Sequence, residues 1–482
     1  MKPVRRLLTL ILTAFLILSL ATPLQAGELL DRGVYLQQLT KKNDKGEVFA
    51  ISYLRVNLSD PKIEIKPVLA KDKLGEVEPL TQMAKRYGAI GAINGTFFNL
   101  SKNEPLPLDT VILDGEVLTK NNRQATSLII TRDRQISFDD FLPMVTVRLI
   151  NQKKIFQISG VNHTLGEGIV LYTPLFGATT KTPPGITEFV VEKNEQGITV
   201  IKQMVNGNAT IPANGYVLSF QGDKNPFAKY FSVGEPVDIR TSFRDKTELL
   251  HLLANGPLLV RDGARPVPIN LEGLQGEITG RHPRSALGLT ADGRLLLVVV
   301  DGRQPNVSVG MTFEELADLM IELGAKEAMA LDGGGSAELL ANGKIVNSLS
   351  EGKERALSNG ILVISQIPVY LNDKRLYFVD VPPTIENNRV LVPLRAIFEA
   401  LNAEIDWNNE TKTITATRGK SKISLTIGNK YAKVNGRTVK LDVAPTIVDG
   451  RTLVPVRFVA EALGGKVSWD DAAQSVYINI RN

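Results

Sequence analysis

Two aspartates stand where a sheet-based hydrolase would place its carboxylates. Asp301 follows the apolar run 295–300, and Asp332 follows the apolar run 328–331. A strand, a helix and a second strand in this order usually give parallel strands, and ligands gather beyond the carboxyl ends of such strands. If the two strands are neighbours, we expect the aspartates to start about 5 Å apart at one edge of the sheet. Paired carboxylates of this kind suit acid–base or nucleophilic hydrolysis.

A run of small residues follows the second aspartate. Gly333, Gly334, Gly335 and Ser336 allow backbone conformations in which successive N–H groups face an anion or a sugar oxygen. The run lacks the GKS/T ending of a nucleotide-binding loop, and Glu338 stands where a G-x-S-x-G nucleophile motif requires glycine. The simpler interpretation is a glycine-rich hairpin turn.

Further polar residues cluster near the ends of other predicted strands. Arginine pairs bidentately with phosphate oxygens, and asparagine both donates to and accepts from sugar hydroxyls. The predicted substrate-binding residues are Asn94, Gly95, Arg284, Arg303, Gly333, Gly334, Gly335, Ser336, Glu354, Arg355 and Asn359. Asp332 is predicted as the catalytic carboxylate, Asp301 as a second carboxylate and His282 as a proton donor. We expect His163 and His251 to be structural, and so few histidines argue against a histidine metal site.

The elements that must position these residues are mostly strands. Short apolar runs broken by Gly, Asn and Pro across residues 29–365 predict a strand-rich α+β domain with few helices. One helix is clear, because Thr312 and Glu315 form a capping box and Gly324 ends the apolar pattern. Residues 141–245 have strand-like runs without a polar motif, which predicts a subdomain or insertion.

A sequence repeat defines the C-terminal region. Residues 381–407 match residues 443–469 at an offset of 62, with 13 of 27 positions identical, so each copy should be one supersecondary unit that covers the other's apolar face. Pro393 and Pro455 stand where a helix can start, and Trp407 and Trp469 open the next strand. The pattern resembles the copper amine oxidase N-terminal-like domain, which implies a small α+β accessory module. The region contains no His, Cys or Met, so we expect no copper there.

The N-terminal motifs resemble the phosphodiester glycosidase family. AINGTFF, GRHPRSALG, VVVDGRQPNVSVGMTFEELADLMIELGA, ALDGGGSAEL and ERALSNGILV follow one another in that family's order across residues 50–365. The resemblance implies hydrolysis between a sugar anomeric carbon and phosphate, as in removal of N-acetylglucosamine from a phosphodiester. Thr96 and Ala337 depart from the family's pattern, which leaves the sugar open. A non-catalytic protein that binds a cell-wall glycan phosphate, and a metal-dependent phosphodiesterase that cuts P–O, are the alternatives.

The N-terminal residues of the chain indicate export. Lys2, Arg5 and Arg6, an apolar stretch and Ala26 read as a signal peptide over residues 1–26, followed by domains at 27–365 and 367–482. The chain has no cysteine, which excludes disulfides and thiolate chemistry.

Residues 367–482 carry a net charge of +4, against −2 for residues 27–366. We therefore expect a bacterial secreted or wall-associated protein with no nucleic-acid partner and no stable membrane insertion after cleavage. The surplus charge of the tail is either an ordinary solvated surface or a contact for an anionic wall polymer. No cofactor is expected, and Ca²⁺ or Mg²⁺ binding through carboxylates has no specific support.

Overall fold

A computed structural model describes residues 27–31, 33–100, 105–163, 167–222, 226–243, 249–378 and 381–480. The predicted signal peptide lies outside these residues. Strands dominate the described chain, and its α-helices are α1 (Leu80–Tyr87), α2 (Phe313–Glu322), α3 (Leu394–Ala400) and α4 (Val456–Ala462). The α+β prediction with few helices is confirmed. No helix in the described ranges is both long and apolar enough to cross a membrane.

A seven-stranded sheet forms the centre of the N-terminal domain. Its strands, in spatial order, are Glu28–Asp31, Val34–Lys42, Val48–Asn57, Arg294–Val300, Arg284–Thr290, Ala325–Ala330 and Leu258–Val260. Leu295, Leu297 and Val299 enter one core on one face, whereas Leu296, Val298 and Val300 enter another core on the opposite face. Because both faces are buried, these strands read as continuous apolar runs rather than as alternating ones.

Helix α2 covers one face of this sheet, as the sequence predicts. The Thr312 side chain accepts a hydrogen bond from the Glu315 N–H, and the Glu315 carboxylate accepts one from the Thr312 N–H. The helix buries Leu316, Leu319 and Met320. It is followed by Gly324 at φ +95°, a conformation that glycine adopts without steric cost.

The strand order corrects one prediction from the sequence. Arg294–Val300 and Ala325–Ala330 run in the same direction, but Arg284–Thr290 lies between them and is antiparallel to both. Asp301 and Asp332 therefore leave the same edge of the sheet two strand spacings apart, about 10 Å, rather than one. The expectation that these two strands are neighbours is wrong.

Further antiparallel sheets complete the N-terminal domain. One has the strands Lys344–Ile345, Leu339–Ala341, Gly91–Asn94, Asn359–Ser365 and Ile63–Leu69. A second has Ile136–Asp140, Thr126–Thr131, Leu249–Ala254, Val111–Leu113 and Glu116–Thr119, and a two-stranded one joins Ala356–Leu357 to Glu78–Pro79.

Residues 144–242 form two sheets of their own. These contain Lys154–Ile158, Met144–Leu149 and Val237–Ser242 in one, and Gly160–Val161, Gly168–Tyr172, Gly215–Gln221, Thr187–Lys193 and Thr199–Asn206 in the other. The two sheets share a core that includes Val147, Phe189 and Phe220. This segment packs largely around its own interior.

The C-terminal module is built from the two sequence repeats. Strands Arg389–Pro393 and Arg451–Pro455 pair antiparallel, with Val392 opposite Val454, and each leads directly into a helix, α3 or α4. Thr384–Glu386 and Thr446–Val448 flank this pair to make a symmetric four-stranded sheet. The other sheets are Lys374–Leu376, Val369–Leu371, Ser475–Asn479 and Lys466–Asp470, and Glu404–Asn408, Thr413–Arg418, Ser421–Thr426, Tyr431–Val434 and Arg437–Lys440.

Candidate active site

A cleft of about 390 Å³ opens at the edge of the central sheet where the strand before Asp332 ends. Its wall carries three arginines, a histidine, two carboxylic acids and a group of apolar side chains. The lining residues are Phe97, Phe98, Leu100, Leu108, Glu277, Ile278, His282, Arg284, Arg303, Asp332, Gly333, Gly334, Gly335 and Arg355. Eight of the site residues predicted from the sequence therefore lie together in this cleft.

Asp332 lies in this cleft, held by the backbone around it. Its N–H donates to the Gly95 carbonyl at 3.1 Å, and its own carbonyl accepts from the Asn94 side-chain amide at 2.7 Å. Burial raises the pKa of its carboxyl group to about 6, although a hydrogen bond from Ser336 and the charge of Arg355 act in the opposite direction. Asp332 is therefore ionised at neutral pH but accepts a proton close to that range.

The three glycines let other groups approach the loop closely. A Cβ at Gly333 would come within 2.7 Å of the Pro283 carbonyl oxygen, and one at Gly335 within 2.1 Å of an Arg355 guanidinium nitrogen. Gly334 has φ +60° and donates its N–H to Pro283 O at 2.9 Å. Glycine is thus favoured at 333 by the close Pro283 backbone and at 334 by its left-handed conformation, whereas the Arg355 side chain near Gly335 could shift.

Arg284 supplies a buried positive charge to the cleft. It is 3% exposed, and its guanidinium donates to the carbonyls of Met311, Ile278 and Gly280 at 2.9, 2.8 and 2.6 Å. Burial lowers its pKa to about 10. Among the described residues no carboxylate forms a salt bridge with it. Because a buried cation is costly without a counter-charge, this site favours an anionic ligand.

His282 and Arg303 form a pair at the mouth of the cleft. Arg303 Nε donates to His282 Nδ1 at 3.2 Å, so His282 Nε2 carries the proton and donates to the Glu277 carbonyl at 2.6 Å. Both ring nitrogens are engaged, which orients the ring toward Glu277 and Arg303. A role as proton donor would require one of these bonds to break.

Arg355 borders the other side of the glycine loop. Its Nη1 donates to Ser336 Oγ at 3.3 Å, and its guanidinium forms an ion pair with Glu351. Ser336 in turn hydrogen-bonds the Asp332 carboxylate. A chain of polar contacts therefore links Arg355 to Asp332 through the buried Ser336.

The other predicted site residues lie outside the cleft lining. Asp301 is buried, and its carboxylate accepts from Asn347 Nδ2 and the Ser348 N–H at 3.1 Å each. Burial raises its pKa, whereas these hydrogen bonds lower it. The structure thus brings Asp301 to the loop 347–348, and its predicted catalytic role stays a prediction.

Two asparagines and a glycine join strands behind the cleft. Asn94 Oδ1 accepts from Ser285 Oγ at 2.6 Å and from the Glu338 N–H at 3.2 Å. Asn359 Oδ1 accepts from the Thr96 N–H at 2.9 Å, and a Cβ at Gly95 would collide with that oxygen at 1.8 Å. These residues shape the floor below Asp332 without lining the cleft.

Glu354 caps a helix rather than reaching the cleft. Its two carboxylate oxygens accept from the Thr81 N–H at 2.7 Å and from Thr81 Oγ1 at 2.8 Å, in the first turn of α1. A carboxylate at this position also complements the helix dipole. The contact joins residues 273 positions apart in the chain.

Sequence reasoning missed an apolar wall and two acids. Phe97, Phe98, Leu100 and Leu108 line one side of the cleft, and Glu277 lines another. The FF pair in AINGTFF was a visible signal for the wall.

Glu338 is the other missed acid. It is fully buried, and neither carboxylate oxygen meets a hydrogen-bond donor at good geometry, although Arg355 lies nearby. Burial and the charge of Glu354 raise its pKa to about 8, so it is mostly protonated at neutral pH. Glu338 lies six residues after Asp332. From the sequence it indicated only that a G-x-S-x-G nucleophile motif is absent.

No cluster of three or more His, Cys, Asp or Glu side chains suited to a metal ion occurs within the described ranges. The cleft itself is lined by three arginines and several apolar side chains, with the Asp332 carboxyl group among them.

Family models give this arrangement its class. Residues 186–364 match the family described as phosphodiester glycosidase, a range that includes the cleft residues from Glu277 to Arg355. Residues 370–478 match the copper amine oxidase N-terminal domain. The chain therefore carries a phosphodiester glycosidase domain followed by a copper amine oxidase N-terminal domain, as both resemblances in the sequence implied.

Several proteins of bacterial origin are similar to this chain. A prophage-derived uncharacterized protein of Bacillus subtilis is 31% identical over 132 residues, which is 27% of this chain and 19% of that protein. A hypothetical protein from Synechocystis shares the fold with a TM-score of 0.61 at 23% identity, over 70% of this chain and 62% of that one. A putative exported protein from Burkholderia pseudomallei follows at 0.55 and 22%, over 66% and 74%. The chain thus spans less than two thirds of the first two proteins, and the two structures show the common fold.

Proposed function

We propose that the cleft hydrolyses the bond between a sugar anomeric carbon and phosphate in a glycosyl phosphodiester. One observation carries the proposal: the buried Arg284 guanidinium forms no salt bridge with a carboxylate among the described residues, although the charge of Glu314 acts on it from a greater distance, and it lines the same cleft as Asp332. A phosphate group would pair with the Arg284 guanidinium. The Asp332 carboxylate would stabilise a sugar carbon that becomes positively charged. The match to the phosphodiester glycosidase family supports this pairing.

The arginines hold the leaving group. Arg284 uses its Nε and Nη2 on backbone carbonyls, which leaves Nη1 to donate to a phosphate oxygen, and Arg303 lines the same cleft. A phosphate monoester leaves readily because its negative charge is shared between its oxygens and the guanidinium groups. Little proton donation to the leaving oxygen is required, which agrees with the engaged state of His282.

Asp332 acts on the sugar. As the C1–O bond breaks, the electron pair leaves with the phosphate, and the ionised carboxylate stabilises the oxocarbenium-like carbon or captures it. Water then adds to C1 and releases its proton to the carboxylate or to solvent, which gives a reducing sugar and a phosphate monoester. Phe97 and Leu108 offer apolar surface against which a sugar ring can rest.

We further propose that the protein acts outside the bacterial cell on wall or extracellular polysaccharide. The basic, apolar and small-residue pattern of residues 1–26 supports export, and the Burkholderia pseudomallei protein of similar fold is a putative exported protein. The surplus positive charge of residues 367–482 supports contact with an anionic polymer.

The test is incubation of residues 27–482 with a synthetic N-acetylglucosamine 1-phosphodiester, with free reducing sugar as the readout. Asp332→Asn should lower kcat at least about 1,000-fold, because it removes the carboxylate charge that stabilises the sugar cation. Asp318→Asn is the matched control, since Asp318 is an exposed aspartate on α2 that pairs with Arg265.

The products decide between this function and its rivals. Release of sugar phosphate instead of free sugar would show P–O cleavage. Binding of the diester without turnover, in both the parent chain and Asp332→Asn, would show a binding protein and contradict the proposal.

A further inference from the structure

The C-terminal module contains two pockets that are copies of each other. The smaller, about 300 Å³, is lined by Pro393, Arg395 and Trp407 of the first repeat and by Arg451 of the second. The larger, about 420 Å³, is lined by Pro455, Arg457 and Trp469 of the second repeat and by Arg389 of the first. Each of the ten residues lining the smaller pocket has a counterpart 62 positions away that lines the larger one.

This correspondence follows from the way the repeats pair. Strands Arg389–Pro393 and Arg451–Pro455 run antiparallel side by side, so each repeat places its edge against the helix and tryptophan of the other. Both pockets therefore need both repeats, and neither would exist in a single copy.

The two repeats have kept the same exposed side chains in these pockets. Trp407 and Trp469 remain 39% and 37% exposed, so the core does not require them at their full size. Arg395 and Arg457 are exposed beside them. About half of the aligned positions in the repeats differ, yet the tryptophan and both arginines are present in each pocket. Exposed aromatic and arginine side chains that persist together are typical of binding surfaces.

The chemistry of the pockets defines the ligand class. An exposed indole face and aliphatic neighbours such as Ile405 or Val467 offer a flat apolar surface for the C–H face of a sugar. Two guanidinium groups at the rim match an anion that accepts two parallel hydrogen bonds. None of the ten shared positions is acidic, and the module carries a net charge of +4. The larger pocket differs in that Asp471, which accepts a hydrogen bond from Trp469 Nε1, also lines it and Arg389 pairs with Asp442.

We propose that the C-terminal module binds a glycan polymer that carries phosphodiester groups, one sugar–phosphate unit in each of the two pockets. The choice of phosphate over carboxylate rests on the function proposed for the catalytic cleft, because a module that holds the substrate polymer supplies the cleft with new bonds to cut. Two equivalent pockets at a fixed separation suit a repeating polymer, since both can bind one chain and gain avidity.

The two tryptophans make a direct test available, because they are the only tryptophans of the chain. Purified sugar-bearing wall teichoic acid is titrated into residues 27–482 carrying Asp332→Asn, which prevents cleavage, and the tryptophan emission is followed. We expect a saturable change in emission. Trp407→Phe and Trp469→Phe should each leave the part of the change that belongs to the other pocket.

The arginine variants measure affinity and avidity. Arg395→Ala or Arg457→Ala should weaken polymer binding at least about tenfold, and the double variant at least about 100-fold, because bivalent attachment is lost. Arg437→Ala is the matched control, since Arg437 is exposed on a strand outside both pockets, and it should bind like the parent chain.

Three outcomes would overturn the proposal. If teichoic acid leaves the tryptophan emission unchanged while the parent chain cleaves the diester, the proposed binding role of the pockets is wrong and the proposed enzyme function stands. Equally tight binding of hyaluronate would show that the anion is not specifically phosphate. Equal binding of neutral dextran would show that the arginines do not select an anion. If the emission changes but the parent chain cleaves no diester, the proposed binding role of the pockets is supported and the proposed enzyme function is wrong.

Discussion

The ionisation of Asp332 should control the rate of the proposed reaction. Burial raises the pKa of its carboxyl group from an ordinary value to about 6. Because the ionised form is the one that stabilises the sugar cation, kcat/KM should rise with pH and level off above about 7. The pH profile of the parent chain measures this. A rise centred near pH 4 would mean that another carboxylate controls the reaction.

Glu338 offers a stability test at the same scale. Its pKa is raised to about 8, so between roughly pH 4.5 and 8 the folded state binds a proton that the unfolded state has released. The free energy of unfolding should therefore fall as pH rises through this window, by up to about 1.4 kcal/mol per pH unit. Glu338→Gln should remove that fall and be the more stable protein at pH 8.

The control for Glu338 is Glu314→Gln, an exposed glutamate at the start of α2. Its pH dependence should follow that of the parent chain in urea titrations at pH 5, 6.5 and 8. A Glu338→Gln profile parallel to the parent profile would show that this carboxyl group titrates normally in the folded state.

Residue types indicated the cleft only in part. Arg284, Arg303 and Asp332 lie in the cleft, as their positions after or before predicted strands suggested. Asn94 and Asn359 have equally suitable chemistry but join strands behind it. A buried asparagine can either line a cleft or join strands behind it. Its role depends on hydrogen-bond partners far away in the chain, and a local sequence pattern does not contain them.

The helices and strands could likewise be predicted where nearby residues determine them, and not where distant residues do. Helix α2 could be predicted because its cap and apolar face lie within a dozen residues of one another. The order of the central sheet could not, because Arg284–Thr290 enters between two strands that a helix connects. The paired repeats could be predicted, since duplication itself requires two surfaces that fit each other.

Helix α1 depends on a cap from another element. Its N-terminal residue Pro79 provides no side-chain cap, whereas Glu354 accepts two hydrogen bonds from Thr81. Glu354→Ala should lower the free energy of unfolding by about 1–2 kcal/mol, the usual cost of a lost cap. Diester hydrolysis at 25 °C should be retained, because Glu354 does not line the cleft.

Thermal denaturation and the hydrolysis assay together check this assignment. Thr81→Val, which removes one of the two donors, should have part of the same effect on stability. A Glu354→Ala protein of unchanged stability and greatly reduced activity would instead return Glu354 to the substrate site.

At the scale of the whole molecule, the two repeats should stabilise each other equally. Leu391 and Leu453 are equivalent positions, at 1% and 0% exposed, in one small core that also contains Val381 and Val443. Either leucine changed to alanine removes a side chain from the same interior. Each variant should therefore cost about 2–5 kcal/mol and lower the melting temperature of the module by a similar amount.

This equality separates one cooperative module from two independent repeats. If the repeats fold together, Leu391→Ala and Leu453→Ala should broaden or lower a single transition in calorimetry, and both should weaken the tryptophan response of both pockets at elevated temperature. Val448→Ala is the control for side-chain truncation, because Val448 is 37% exposed on the same sheet and lines neither pocket. Loss of only one tryptophan signal in each leucine variant would mean that each repeat folds separately, and the pockets shared between them would then have no structural basis.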